Sequence, residues 1–552
     1  MFSHYFERLI LFIKTNYIIL IILCVGLIVI LYIAFKQCKK PTIPQDQYQN
    51  EDICLNLNRK YSDYILDSLQ LDSCMVKYNF DASVNAEIKL FYSQRAYQFA
   101  WFNECGLISS SNTFHDLTKT YLSEFYDKTS CHELMDSLIY LANEDEKKFL
   151  TDWKNVKTLE FLLSANFFKY SSKIYGGTAE NPKKLSWFIP RHKKDYTALL
   201  DSMIVSKKDR QFVEPLNPYY INLKKKLIEY KQIERNGNYP IVSFDSINLT
   251  VGKSDKGISG LKRQLFILGD WKEMDTNSIY TESMKTAILH FQMRMGLPQT
   301  GMIDKKTIEE LNTPLSMRIK QILINLERLR WVPPNLPPNF LLVNIPEYKL
   351  HIMESGKPLF DMNIIVGKTM NKTIIFEGKI SSVVLNPYWN IPKSIVEKEI
   401  RKHMNRDRNY LSRNNIEVVR SGNEIMYRQK PGTKNALGKI KFLFPNHYNI
   451  YLHDAPAKSL FEANTRTFSH GCIRVAEAKK LALYMLNKQD GWSESKLDAI
   501  LATNEEKYIP ISPTIPVFIA YFTTWVDHKG VIHFRKDVYG LDKRLELEIF
   551  GE

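Results

Sequence analysis

The sequence predicts a multidomain α+β chain. It should comprise an N-terminal transmembrane helix, a helix-rich region, a compact three-helix unit and a strand-dominated mixed α/β domain. Three observations carry this. Tyr17–Phe35 is an uncharged, mostly apolar run. Apolar residues then recur at helical spacing as far as Trp331. Beyond the prolines of Val332–Pro338, short alternating runs take over.

Residues 1–16 form a short N-terminus and residues 17–35 the span, whose nineteen residues cross a bilayer core of ~30 Å at ~1.5 Å per residue. A cleaved signal peptide is not expected, because Lys36-Gln37-Cys38-Lys39-Lys40 follows directly without a small-residue cleavage site. Neither Cys24 nor Cys38 follows a small residue, which argues against a lipoprotein cysteine. Residues 36–80 read as a polar stalk.

Residues 81–235 are helical by pattern, with Leu159–Tyr170 and Tyr219–Gln232 as examples. Phe91-Tyr92, Arg95, Tyr97 and Ala100-Trp101 within this region resemble the scaffold domain of the longer L,D-transpeptidases. Residues 250–315 hold apolar positions at helical spacing split by Gly296 and Gly301, a three-helix unit. Phe291-Gln292, Gly296-Leu297 and Thr307-Ile308 with Leu311-Asn312 resemble the peptidoglycan-binding domain family, in a motif made mostly of core and turn residues. Residues 316–339 add the amphipathic run Arg318–Trp331 and the proline linker, which reads as the best domain boundary in the chain.

The chemistry lies in residues 340–545. An alternating run Tyr448–His453 delivers a histidine, and Ser469-His470-Gly471-Cys472-Ile473-Arg474 follows shortly after. A free thiol ionises near pH 8.5, so a nucleophilic cysteine needs a proton acceptor and a field that favours its anion. Histidine supplies the acceptor near neutral pH. Ala476–Lys488 has Leu481, Ala482, Met485 and Leu486 at helical spacing, which would set Cys472 near a helix N-terminus. Gly471 allows a sharp turn and close approach of a carbonyl to main-chain N–H groups. Zinc ligation by His453, His470 and Cys472 lacks the closely spaced ligand pair that most zinc sites use, so no metal and no cofactor is expected.

These residues resemble the active-site signature of the L,D-transpeptidase (YkuD-like) catalytic domain. So do the blocks Val366-Gly367-Lys368, Val384–Ile395 around Asn386 and Trp389, and Gln429–Gly438, in the family's order. The resemblance implies that Cys472 attacks the carbonyl after the third residue of a peptidoglycan tetrapeptide stem, expels D-alanine and forms a thioester. His453 is then the general base, oriented by the backbone carbonyl of Asp454, where many members have glycine. Gly471 and Cys472 supply oxyanion-binding N–H groups, and Arg474 braces the turn or meets a stem carboxylate. Ser469, His470, Arg474, Trp389 and Asn386 are the candidate substrate-binding residues. Arg401–Arg428, between family blocks, is a candidate lid, and Arg535–Gly540 resembles the C-terminal end of the long subfamily. A hydrolase of the same machinery, an L,D-carboxypeptidase or amidase, is not separated by these residues. A non-catalytic wall-binding tether is disfavoured by the intact Cys472, His453 and Gly471.

Charge bears on partners and orientation. The chain carries 75 Lys+Arg against 60 Asp+Glu, net +15, which suits polyanionic surroundings. The one dense basic cluster, Arg401–Arg408, has no nucleic-acid motif around it, so peptidoglycan and the membrane, not nucleic acid, are the expected partners. Arg8 and Lys14 before the span are outnumbered by Lys36, Lys39 and Lys40 after it. The expected substrate overrules that bias. It puts residues 1–16 in the cytoplasm and the rest of a single-pass bacterial inner-membrane protein in the periplasm or facing the wall. Cys54, Cys74, Cys105 and Cys131 could form two disulfides, with three connectivities. Cys472 stands apart from them, as suits a nucleophile.

Overall fold

A computed structural model of the chain describes residues 62–103, 106–125, 132–177, 182–190, 194–205, 216–272, 277–422 and 424–551. The expected membrane span lies outside the described residues, as does all of the stalk up to residue 61. Among the described residues no helix is long and apolar enough to cross a membrane. Cys74 carries a free thiol, while Cys54, Cys105 and Cys131 lie outside the described residues.

The N-terminal region is helical around one central helix, Trp153–Gly176. It starts where the Asp152 side chain accepts from the Asn155 N–H and ends at Gly177, whose φ of 88° suits glycine. Leu159, Phe161, Leu162, Leu163, Phe167 and Phe168 are all buried, the all-round apolar character of an interior helix. Glu160 is equally buried and is satisfied by the Tyr92 hydroxyl at 2.7 Å and by the Ala100 and Trp101 N–H groups at 2.6 and 2.9 Å. The Phe91–Trp101 motif is thus the cradle of a buried carboxylate, since a buried polar group must be hydrogen-bonded.

The three-helix unit comprises Gly257–Ile267, Glu282–Arg294 and Lys305–Leu311. Its motif residues hold the fold together: Gln292 donates to the Met302 carbonyl at 2.9 Å and accepts from the Gly301 N–H at 2.9 Å.

The proline segment does not separate domains. The Leu315–Arg330 helix before it is buried along most of its length, and a continuous apolar core runs from Leu185 to Leu545. Asn325 accepts from the Thr523 N–H, and Arg328 meets Asp542 at 2.5 Å. The earlier segment Trp187–Phe188 also docks, with the Phe188 N–H donating to the Ile375 carbonyl at 2.9 Å. The linker stiffens a junction whose two sides share a core.

The C-terminal domain is built on strands β1 (Phe340–Asn344), β2 (Lys349–Glu354), β3 (Lys357–Gly367), β4 (Glu377–Leu385), β5 (Trp389–Asn390), β6 (Ile416–Ser421), β7 (Glu424–Gln429), β8 (Ile440–Leu443), β9 (Leu452–His453), β10 (Thr467–Ser469), β11 (Ile473–Val475), β12 (Lys507–Ala520), β13 (Thr524–Val526) and β14 (Ile532–Phe534). Nine form one sheet in the order β10-β3-β11-β9-β8-β4-β12-β1-β2. Because β2 also pairs with β3, eight of the nine close into a ring. Closure removes sheet edges, and alternate residues of each strand fill the inside: Ile440, Phe442, Leu452, Ile473 and Val475 are buried. Each such side chain contributes roughly 1.5–3 kcal/mol.

The candidate lid is broader than Arg401–Arg428. It spans residues 389–429, with a three-stranded sheet β5-β7-β6, helical turns between Lys393 and Arg413, and its own core of Ile391, Val396, Ile400 and Ile416. The basic run Arg401–Arg408 lies on its surface.

Candidate active site

β9 runs parallel to β11, with Leu452 opposite Ile473 and His453 opposite Arg474. The ring therefore brings the histidine beside the turn that holds Cys472. The expected strand Tyr448–His453 is shorter than the alternation suggests. Asn446 accepts from the Tyr448 and Ile450 N–H groups and turns the chain before β9.

His453 is buried. Its Nδ1 faces the Asp454 carbonyl at 2.5 Å. A carbonyl only accepts, so Nδ1 carries the proton and Nε2 is the free lone pair of the neutral ring. Burial, then Arg474 and more weakly Lys441, push the imidazole down to about 3 against the smaller opposing pull of Asp454. The imidazole is therefore neutral at physiological pH.

Asp454 does more than lend a carbonyl. Its carboxylate accepts from the Lys439 N–H at 3.0 Å and the Lys458 ammonium at 2.6 Å. A Cβ on Gly438 would lie 2.4 Å from that carboxylate. The side chain by which this sequence departs from the family pattern thus anchors the carbonyl that orients His453, and the Gln429–Gly438 block makes room for it.

Cys472 is half-buried, and burial pushes its thiol up, with Tyr451, Lys441 and Arg474 pulling the other way. The thiol donates to the Asn449 carbonyl at 3.6 Å. Among the described hydrogen bonds none joins Sγ to the imidazole. Burial, with the neighbouring Cys472 adding to it, pushes the Tyr451 phenol up.

Several expectations are corrected. Cys472 is not at a helix N-terminus: β11 intervenes, and the helix runs Ala478–Leu486. The Gly471 N–H donates to Ser469 Oγ at 3.1 Å, whereas the Cys472 N–H has no partner among the described hydrogen bonds. Ser469 is buried, and its hydroxyl donates to the Cys472 carbonyl at 2.5 Å. It braces the turn. Asn386 is 1% exposed and gives its amide protons to the Ile500 and Glu505 carbonyls. His470 is exposed, with Nε2 at 2.8 Å from Glu399 of the lid. Trp389 lines the lid root, and Arg474 has no structural salt bridge among the described residues.

Pattern reading missed the braces behind the turn. Gly471 has φ +123°, open only to glycine. Thr373 donates to its carbonyl at 2.8 Å and accepts from the Gly367 N–H at 2.9 Å. Tyr539 donates to the Gly367 carbonyl at 2.7 Å, which gives the Arg535–Gly540 motif its purpose. A Cβ on Gly367 would lie 3.1 Å from Gly471 Cα, the close approach behind the Val366–Lys368 block. Lys441 was missed as well, although a lone lysine in the apolar strand β8 was visible.

Comparison with known proteins agrees with this architecture. Residues 338–492 match the L,D-transpeptidase catalytic domain, residues 86–227 a scaffold domain and residues 254–311 a peptidoglycan binding domain. A putative L,D-transpeptidase of Haemophilus influenzae is 32% identical over 244 residues, covering 41% of this chain and 49% of that protein. The chain thus spans about half the length of the curated relative it matches. Among solved structures, an L,D-transpeptidase (residues 123–326) from Xylanimonas cellulosilytica is 13% identical, covering 50% of this chain and 98% of that one at a TM-score of 0.17. One from Stackebrandtia nassauensis is 15% identical, covering 50% and 96% at a TM-score of 0.23. The chain thus carries a scaffold domain, a peptidoglycan binding domain and an L,D-transpeptidase (YkuD-like) catalytic domain in that order.

Proposed function

We propose that the chain is a membrane-anchored L,D-transpeptidase that cross-links peptidoglycan stems between their third residues through a thioester on Cys472. The observation that carries this is the His453 Nδ1 contact to the Asp454 carbonyl, which leaves Nε2 free to take the thiol proton. As that proton moves to His453, the Cys472 sulfur bonds the carbonyl carbon after the third stem residue. The carbon–nitrogen bond to the terminal D-alanine breaks, and the proton passes to the leaving amine. The Cys472 N–H stabilises the developing oxyanion. An acceptor amine then attacks the thioester, His453 takes its proton, and the thiol is restored. Rotation of Sγ away from Asn449 aligns thiol and base, since catalytic contacts often tighten only when substrate binds.

The module order supports a polymeric wall substrate, and the apolar run Tyr17–Phe35 supports an inner-membrane anchor with the remaining domains in the periplasm or facing the wall. The test is incubation of the full-length protein with disaccharide tetrapeptide, beside Cys472→Ala, with products read by mass spectrometry. A dimer lacking one D-alanine, absent with the variant, is expected. Tripeptide alone would mean that water resolves the thioester, as in an L,D-carboxypeptidase. No Cys472-dependent product would leave a wall-binding tether.

A further inference from the structure

Three residues lie in one row across neighbouring strands. Lys441 on β8 is the direct partner of His453 on β9, and His453 is the direct partner of Arg474 on β11. Directly opposed residues share a sheet face, so a cation flanks the base on each side. Neither is neutralised by the fold. The Lys441 ammonium sits 4.0 Å over the Tyr451 ring and has no hydrogen bond or ion pair among the described residues. Arg474 Nε is buried without a partner. The acid that acts on Lys441, Glu506, accepts from the Tyr388 N–H at 2.7 Å instead. Burial accordingly pushes both Lys441 and Arg474 down from their ordinary values.

Counting charge shows what is missing. Thiol and imidazole together are neutral whether the proton sits on sulfur or nitrogen, so the reacting pair cannot offset two cations. An oxyanion offsets one, and only while it exists. A second anion must come with the substrate. Resting on the transpeptidase reading, we infer that Lys441, aided by Arg474, grips the free terminal carboxylate of the acyl donor, one residue beyond the scissile carbonyl. That makes Lys441 a specificity-determining residue for donors that end there.

The test uses full-length protein and two donors identical except for the terminus, one a free carboxylate and one a carboxamide. Acyl adduct formation on Cys472 is followed by intact mass. The wild type should prefer the carboxylate roughly 10- to 100-fold, the scale of a charge-assisted hydrogen bond. Lys441→Met should bring that ratio close to one, and Lys441→Arg should retain most of it. A ratio within one preparation is independent of the folded fraction. An equal loss for both donors with Lys441→Met, or an unchanged ratio, would overturn the assignment. So would a preference that follows amidation of a carboxylate on the third residue's side chain. No adduct on the wild type with either donor would overturn the transpeptidase reading itself, and this one with it.

Discussion

Two groups of buried charge in this molecule are handled in opposite ways. Along the Leu315–Arg330 helix, each buried cation has its anion: Arg328 meets Asp542, and Arg330 meets Glu327 at 2.5 Å. Burial works against the Arg330 charge, but Tyr220 and Glu327 outweigh it and hold the guanidinium above its ordinary value. In the row Lys441–His453–Arg474 burial wins, and both cations are held below theirs. The first group joins domains, so the fold completes its own electrostatics. The second is left incomplete at the place where the chain would meet a substrate.

The comparison can be broken most forcefully at Asp542. Asp542→Ala strips Arg328 of its partner and should destabilise the protein by about 3–5 kcal/mol, the cost of orphaning a buried charge, read by denaturant unfolding. Loss of less than ~1 kcal/mol would mean that the junction is not held by this pair. Ser469→Ala sharpens the site half. Losing the hydroxyl that holds the Gly471 N–H and the Cys472 carbonyl should cost about 1–3 kcal/mol of unfolding free energy, together with slower acylation of Cys472. Lys441→Met should alter unfolding free energy by less than ~1 kcal/mol, because among the described contacts the ammonium gives up only its place over the Tyr451 ring.

pH gives a further separation. Unfolded His453 takes a proton near its ordinary value of 6.5, whereas the folded residue refuses one until about 3. The unfolded state binds more protons between those values, so this residue's contribution to stability falls as pH drops from 6.5 towards 3. His453→Gln should flatten that part of the stability profile relative to wild type. Alkylation of Cys472 should correspondingly show no inflection near pH 6.5. An inflection there would mean that the imidazole titrates normally and the flanking cations do not act on it. The smallest effect is expected at Glu399→Gln, whose exposed contact to His470 is worth well under ~1 kcal/mol. A few-fold change in donor KM with unchanged stability would mark it as a lid contact.

Much of the site was legible because its residue types are dictated by covalent chemistry. The proposed nucleophile, its proposed base and a glycine that reaches φ +123° leave few substitutes, so Cys472, His453 and Gly471 stand out in any linear reading. Residues whose role depends on what lies across the sheet were misjudged. Asn386 and Ser469 look like ligand contacts within their motifs, yet the Asn386 amide protons go to two carbonyls and the Ser469 hydroxyl to a carbonyl and an N–H nearby in space. The helix expected over Ala476–Lys488 forms as Ala478–Leu486, but Cys472 is not at its N-terminus, because β11 lies between them and pairs with β3 and β9.

By itself the sequence determined the order of modules, the thiol and its base, and the glycines around them, because those follow from periodicity and chemical type. The tertiary structure alone decided that the proline segment joins domains sharing one core. It alone decided that Asp454's extra carboxylate pins the carbonyl behind His453, and that Lys441 stands beside the base. Strand register sets these relations, and register is a property of pairing between segments that no single segment encodes.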